Sequence, residues 1–384
     1  MKLLQYSFLI VLISCQQSKN LDSKTKIINI NLSEDAIENS TAVNLSNIVS
    51  NVEYLQLENT PFSMLGRGTR LFVFDSLIVS SGHRQIYIFN KYTGNFIREI
   101  GEQGRGPSSY WNSTFRIKAD KERGIVIDTG GWNYSLKEFS TDGRIIGKVK
   151  LAKHTSFVTH LNDNLYAAYY INHTGNEKER IVIWDNEKKK IVKRFGNYRT
   201  FKNTPSIKRF FCEGLFYRFN EKLLFKEYLC DTIYHITEKE MIPHIVFNSG
   251  KYSPPYDERE TFDFTKYHGI STIIETQRYL LFKFFFQKKR YYCYYDKQTY
   301  KLQLSIEGDK KEQGFINDVD GFARFRPESV TKDNEIIGYI EAYQLVKWMK
   351  DNPDKVANLP DHLKKFKDIK ESDNPIVMIA KLKE

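Results

Sequence analysis

The stretch IYIFNKYTGNFI, Ile86 to Ile97, reads as a strand, a tight polar turn and a second strand. Its shape recurs along the chain. Leu136-Lys137-Glu138-Phe139 is followed by STDG and Arg144-Ile145-Ile146, and Ile181-Val182-Ile183-Trp184 by DNEKKK and Ile191-Val192. The same shape returns at Thr232-Ile233-Tyr234-His235, and at Tyr292-Cys293-Tyr294-Tyr295 followed by DKQTYK. The copies are spaced by roughly 45 to 60 residues, the period of a four-stranded unit that buries its faces against neighbouring units, and this predicts a β-propeller. Five units cover Thr69 to Gly308, and Phe315 to Ile340 has room for most of a sixth.

Two strand-like pieces fall outside the repeats, Val52 to Leu57 and Pro375 to Leu382. A propeller ring must be closed, so both are expected to enter the sixth blade and join the two ends of the chain there. Between the last repeat and the terminal strand, Tyr343, Val346 and Met349 recur at helical spacing, as do Leu363, Phe366 and Ile369, with Pro353 and Pro360 interrupting. The fold class is therefore all-β, a six-bladed β-propeller with short C-terminal helices before the last strand.

The 384 residues carry 14% aromatic side chains, among them 24 Tyr and 27 Phe, a composition suited to strands. The first fifteen residues, MKLLQYSFLIVLISC, hold an apolar run too short to span a bilayer and have the form of a secretory signal. Its ending, Leu12-Ile13-Ser14-Cys15, resembles the lipobox of bacterial lipoproteins, in which the cysteine is acylated and becomes the first residue. The expected organisation is a signal peptide over 1–14, lipidated Cys15 and a flexible tether over 15–40, and a single propeller domain over 41–384. The membrane is then a partner through the lipid on Cys15. Export separates the chain from cytoplasmic nucleic acid, so its net charge of +11 does not indicate a nucleic-acid partner. Three cysteines remain after Cys15. If FFCEGLFYRF and KLLFKEYLC form a hairpin turning near Glu221, Cys212 and Cys230 meet at one end of it and an oxidising envelope permits a bridge, leaving Cys293 a buried thiol.

The lipobox, VNLSNIVSNVEYLQLENT, FIREIGEQGRGPSSYW, DTIYHITE, EAYQLVKWMK and DNPIVMIAKLKE, taken in order, resemble the six-bladed β-propeller lipoproteins of Bacteroidetes. The resemblance implies a six-bladed propeller on a lipid anchor, in a family most of whose members have no established activity. The family's usual GRGPGEY reads Gly104-Arg105-Gly106-Pro107-Ser108-Ser109-Tyr110 here, without the second turn glycine and the acid. Surface-exposed lipoproteins of these bacteria often carry an acidic run after the cysteine. Here Gln16-Gln17-Ser18-Lys19-Asn20 is uncharged or basic, which favours the periplasmic face over the cell surface.

GEQGRGP, Gly101 to Pro107, has the glycine density of a phosphate cradle but lacks the Gly-Lys-Ser/Thr of a Walker loop, and a strand, not a helix, is expected after it. It is expected to be an inter-blade turn, with Gly101, Gly104 and Gly106 supplying backbone angles barred to other residues. Such loops lie on one rim of a propeller, where Arg105, Tyr110 and Trp111 are candidate ligand contacts, and Trp132 and Tyr134 in DTGGWNYS are candidates for stacking on a sugar. No His-Glu-x-x-His or paired-cysteine pattern is present, and the histidines at 154, 160, 173, 235 and 244 are not at ligand spacing. Asp120, Asp128, Asp231 and Asp263 are the acids that an axial ion, of the kind held in lactonase-like propellers, would draw on. No cofactor is indicated. The aromatic run YLLFKFFFQKKRYYCYY is two buried strands joined at Gln287 to Arg290. The expected function is a non-catalytic binding or scaffold protein with a glycan, peptide or envelope-protein ligand. The alternative is a lactonase-like hydrolase with an axial metal, and an axial cluster of three or more acids or Asn would favour it over a channel lined by apolar or basic groups.

Overall fold

The computed structural model describes residues 27–82, 85–104, 106, 109–110, 117–120, 123–128, 135–151, 157–202, 213–260, 263–307 and 312–383. The chain opens with β1 (Ile28–Asn31), the short helix α1 (Glu34–Glu38) and β2 (Val49–Gln56). Five antiparallel meanders follow. Blade 1 holds β3 (Arg70–Phe74), β4 (Leu77–Ser81), β5 (Ile86–Asn90) and β6 (Phe96–Glu99). Blade 2 holds β7 (Ile117–Asp120), β8 (Ile125–Asp128), β9 (Ser135–Ser140) and β10 (Ile145–Lys150), and blade 3 holds β11 (Phe157–Asn162), β12 (Leu165–Tyr169), β13 (Glu179–Asp185) and β14 (Lys190–Gly196). Blade 4 is β15 (Gly214–Phe219), β16 (Lys222–Glu227), β17 (Thr232–Ile236) and β18 (Met241–Asn248), and blade 5 is β19 (Gly269–Glu275), β20 (Tyr279–Phe286), β21 (Lys289–Asp296) and β22 (Lys301–Ile306). Blade 6 begins with β23 (Ser329–Val330) and β24 (Glu335–Ile340), and the helices α2 (Ala342–Asp351), α3 (Pro353–Ala357) and α4 (Asp361–Lys364) intervene before its third strand, β25 (Ile376–Leu382).

The ring closes as the two unmatched strands require. Blade 6 has the order β2-β25-β24-β23, with Val52 opposite Ala380 and Tyr54 opposite Met378, so the N-terminal strand forms the outer edge of a blade whose inner three strands end the chain. The six blades share no single central core. Apolar residues gather instead at the six seams between neighbours: Phe74, Val79 and Ile88 meet Ile117, Val126 and Phe139 between blades 1 and 2, and comparable clusters fill the other five. That is why the third strands of blades 1 and 3, IYIF and IVIW, are apolar on both faces. The helices join the largest of these clusters. Leu345 and Trp348 of α2, Leu363 of α4 and Phe366 after it pack against Ile340, Phe322 and Tyr54.

One stretch departs from the expected tether over 15–40. β1 adds in parallel to the edge of β18, pairing Ile28 with Ile245 and Ile30 with Phe247, and makes blade 4 five-stranded. Ile30 and Leu32 are completely buried in the seam between blades 4 and 5, so the alternation of Ile28, Ile30 and Leu32 within a polar segment marks a core strand. The β15–β16 hairpin turns at Asn220 and Glu221, both in the left-handed region, as the sequence predicts. Cys230 is a free, half-buried thiol and Cys293 is a buried one, while Cys212 lies outside the described residues.

The seam between blades 3 and 4 depends on a missing side chain. A Cβ on Gly214 would stand 2.6 Å from the ring of Tyr169, which is fully buried and donates its hydroxyl hydrogen to Glu227 at 3.0 Å. Gly214→Ala must displace that ring or the strand, at a cost of about 1–3 kcal/mol. Chemical denaturation should give a lower midpoint with an unchanged slope, and an unshifted midpoint would mean that the seam is loose enough to absorb a methyl group.

Candidate functional site: the axial channel

The first strand of every blade faces the propeller axis, and together they enclose a channel cavity of about 240 Å³. Its walls are largely apolar: Phe72 and Val73 come from β3, Phe157 and Val158 from β11, Leu215 and Phe216 from β15, Ile273 and Ile274 from β19, and Val330 from β23. Polar groups enter where an inner strand carries a charged or hydroxylated residue, namely Lys118, Asp120, Thr159, Tyr217, Arg218, Glu275, Glu328 and Ser329.

Among the described residues the channel has three carboxylates, divided among blades 2, 5 and 6, and each is engaged locally. Asp120 accepts the backbone N–H of Arg123 at 3.2 Å and lies 3.9 Å from its guanidinium. Glu328 accepts from Lys283 at 3.4 Å. Glu275 accepts the Tyr217 hydroxyl at 2.9 Å, pairs with Nε2 of His244 at 3.0 Å and accepts Nζ of Lys297 at 3.2 Å. Burial works to raise the Glu275 carboxyl, but the hydrogen bond from His244, the charges of Lys297 and His244 and the Tyr217 hydroxyl outweigh it and hold the group below its ordinary value. The same burial pushes the neighbouring Lys297 ammonium down and the Tyr217 hydroxyl up.

Glu275 belongs to a pattern of buried acids that tie blades together. Tyr217 and His244 come from blade 4, and Glu275 and Lys297 from blade 5. Between blades 2 and 3, Glu138 takes a bidentate pair from Arg123 at 2.7 and 2.9 Å and lies 3.4 Å from the hydroxyl of Tyr166. Between blades 3 and 4, Glu227 meets Arg180 at 2.6 Å and Tyr169 at 3.0 Å. Lys91 and Glu335 join blades 1 and 6 at 2.5 Å. The trace of these groups in the sequence is a charge beside an apolar run, as in ERIVIW, KLLFKE and GISTIIE, a signal the hairpin reading passes over.

The site residues anticipated from sequence divide sharply. Tyr110, expected on a rim, is completely buried among Ile86, Ile88, Ile117 and Phe139, because the loop folds inward to seal the seam between blades 1 and 2. It is a core residue and offers no face to a ligand. Of the glycines in that loop, only Gly101 has the expected positive φ, 56°, whereas Gly104 and Gly106 do not, and a Cβ on either would stand 3.1 or 2.9 Å from the Oγ of Ser109, a side chain able to turn aside. Nζ of Lys137 donates to the carbonyls of Ser109 and Gly106, so carbonyl oxygens of this loop converge on a cation, the opposite polarity to a phosphate cradle. Arg105, Trp111, Trp132, Tyr134 and Cys15 lie outside the described residues. Among the acids, Asp120 alone of the four reaches the channel. Asp263 accepts from the backbone and hydroxyl of Thr265 at 2.9 and 2.8 Å, Asp231 accepts from Ser253, and Asp128 is buried at the end of β8. Among the described residues no group of three or more His, Cys, Asp or Glu is disposed to hold a metal ion.

Residues 27–381 match a family model described as a domain of unknown function, DUF4934. A crystal structure of a Bacteroides fragilis protein described as exported is similar over 94% of this chain and 100% of its own, at 18% identity and a TM-score of 0.69, a likeness that concerns the fold. The β-propeller domain of Cps50 (Swd1) from Myceliophteria thermophila aligns with 76% of this chain and 95% of its own at 9% identity, and its TM-score of 0.38 carries no argument. Among curated proteins there is no match.

Proposed function

We propose that this chain, which belongs to the DUF4934 family of domains of unknown function, is a non-catalytic binding propeller of the bacterial cell envelope, held by a lipid on Cys15 and facing the periplasm. The observation that carries the reading is the channel itself. Its walls are apolar, and Asp120, Glu275 and Glu328 are each committed to cations or donors of their own or a neighbouring blade. Carboxylates already engaged by neighbouring cations and donors are poorly placed to take up an ion or a proton during turnover. The export described for the Bacteroides fragilis relative supports the envelope. The ligand is a glycan, a peptide or an envelope protein, met on one face of the disc.

Two measurements test the two halves of this reading. Detergent partitioning of the expressed full chain should send it to the detergent phase, and Cys15→Ala should return it to the aqueous phase or leave it unprocessed. An unsubstituted chain found wholly in the aqueous phase would remove the anchor. For the binding half, thermal-shift titration with glycan fragments and short peptides should raise the melting temperature without consumption of the ligand. Stoichiometric calcium or zinc in the purified protein, together with hydrolysis of a lactone or ester, would replace the binding reading with the enzyme.

A further inference from the structure

The outermost strands of blades 1, 2 and 3 share an irregularity that their sequences do not advertise. In each, the pairing with the third strand slips by one residue just after the turn: Phe96 faces Phe89 but Arg98 faces Ile88, Ile145 faces Phe139 but Gly147 faces Glu138, and Ile191 faces Trp184 but Lys193 faces Ile183. The residue left over in each bulge is Ile97, Ile146 or Val192. A bulge re-aims its extra side chain, and these three are 39%, 54% and 43% exposed, uncommon values for branched aliphatic residues in a sheet. In blade 4 the equivalent slip leaves over His244, which is turned inward onto Glu275. The device is therefore used in two ways, and three consecutive blades use it to present an apolar residue to solvent.

The charges around these residues are mostly basic on blades 2 and 3, although Arg144, Lys188 and Arg194 are paired with Asp142, Asp185 and Glu179. The turn and edge strand of blade 2 carry Arg144, Lys148 and Lys150 against Asp142 alone, and those of blade 3 carry Lys188, Lys189, Lys190, Lys193 and Arg194 against Asp185 and Glu187. The matching stretch of blade 4 has Lys239 between Glu238 and Glu240, and β1 covers its edge. Tyr92, 72% exposed in the turn of blade 1, lies at the same rim. Each bulge follows its turn directly, so Ile97, Ile146 and Val192 lie toward half of one rim with Tyr92, Lys148, Lys190 and Lys193. Lys150, opposite Ser135, ends β10 at the other rim, and Tyr300, 64% exposed, occupies the matching turn of blade 5. A disc tilted onto that half-rim would present all three blades to a flat surface.

We propose that this half-rim of blades 1 to 3 lies against an anionic phospholipid bilayer, with Ile97, Ile146 and Val192 entering the headgroup layer and the lysines beside them facing lipid phosphates. Branched aliphatics and tyrosine beside lysines match the chemistry of that interface, and the excess of basic over acidic groups selects an anionic surface. The inference rests on the envelope reading but not on the anchor. The blades close within residues 27–383, so a chain beginning at Gln16, with neither signal nor lipid, keeps the fold and isolates the surface.

That chain is floated with vesicles of phosphatidylcholine alone and of phosphatidylcholine with phosphatidylglycerol. It should float with the anionic vesicles only, and less as salt is raised. Lys148→Glu, Lys190→Glu and Lys193→Glu together should lower partitioning about a hundred-fold, at roughly five-fold for each lysine near the surface. Ile146→Ser with Val192→Ser should lower it about ten-fold at unchanged charge. Lys239→Glu with Lys301→Glu, on blades 4 and 5, should leave it unchanged. Circular dichroism melts verify that each variant is folded. Equal flotation with neutral vesicles, no flotation at all, preference for lipopolysaccharide over phospholipid, or blade 2 and 3 variants that behave as the parent would each overturn the proposal. Loss of the anchor in the Cys15→Ala experiment would leave it standing.

Discussion

Removing the last dozen residues, everything after Ser372, should leave the chain unable to form a stable propeller. The lost segment contains β25, which lies between β24 and β2 and is therefore paired on both edges. Ile376, Val377, Met378 and Ala380 are at most 1% exposed, and Ile379 and Leu382 are below 9%. At about 1.5–3 kcal/mol for each large side chain fully buried, the gross burial lost is on the order of 10 kcal/mol, which rivals the ~5–15 kcal/mol by which a whole domain is stable. The loss is not local. Without β25, β2 has no partner, blade 6 shrinks to β23 and β24, and the seams on both of its sides lose residues, since Val377 and Ile379 pack toward blade 1 while Ile376 and Met378 pack toward blade 5. Soluble yield and thermal unfolding of the truncated chain beside the intact one test this. A truncated chain melting within a few degrees of the full one would show that the ring is closed by something other than the shared blade.

The order of the blades was legible because the third and fourth strands of each unit carry one recognisable pattern, an apolar run, a polar turn and a second run, and because only two strands were left unmatched. Helix α2 was legible from the spacing of Tyr343, Val346 and Met349, although the face it buries is that of Ala342, Leu345 and Trp348. β1 was not, since a strand of four residues in a polar segment has no hairpin partner, and its pairing with Ile245 to Asn248 depends on an edge more than two hundred residues away.

The sites were far less legible, for a related reason. Tyr110 follows a glycine-rich turn and so resembles a rim residue, yet the direction in which a loop folds is decided by the seam it must seal. The bulges at Ile97, Ile146 and Val192 are invisible because a one-residue slip changes the facing of a side chain without changing composition or period. Glu275 could have been found, since it ends the apolar run Ile273-Ile274 of β19, whereas Glu138 and Glu227 each sit beside a lysine in strands of mixed character. The partners of all three could not have been found, because Arg180, Tyr166 and His244 belong to neighbouring strands or blades whose register no local pattern specifies.

The second large effect should appear on acidification, and its source is His268. The imidazole is 1% exposed, ringed by Tyr252 at 5.1 Å, Phe284 at 5.1 Å and Phe286 at 4.7 Å, and among the described residues neither ring nitrogen has a hydrogen-bond partner. Burial alone pushes its pKa down from 6.5 to about 4. A base with a depressed value is held neutral by the fold, so above pH 6.5 neither the folded nor the unfolded chain carries the proton and nothing is lost. As the pH falls from about 6.5 to 4 the unfolded chain takes up a proton that the folded one refuses, and stability drops with it. Below about 4 both states are protonated and the loss levels off, at roughly 3 kcal/mol. His268→Phe keeps a ring among the aromatics and removes the proton site. Other groups titrate over this range, so the quantity to follow is the difference in unfolding free energy between variant and parent, which should grow in favour of the variant by about 3 kcal/mol from pH 7 to pH 4. In a domain of this size that is about 4–5 °C in melting temperature. A difference independent of pH would mean that the ring reaches water or an acid, and that the aromatic box around it opens.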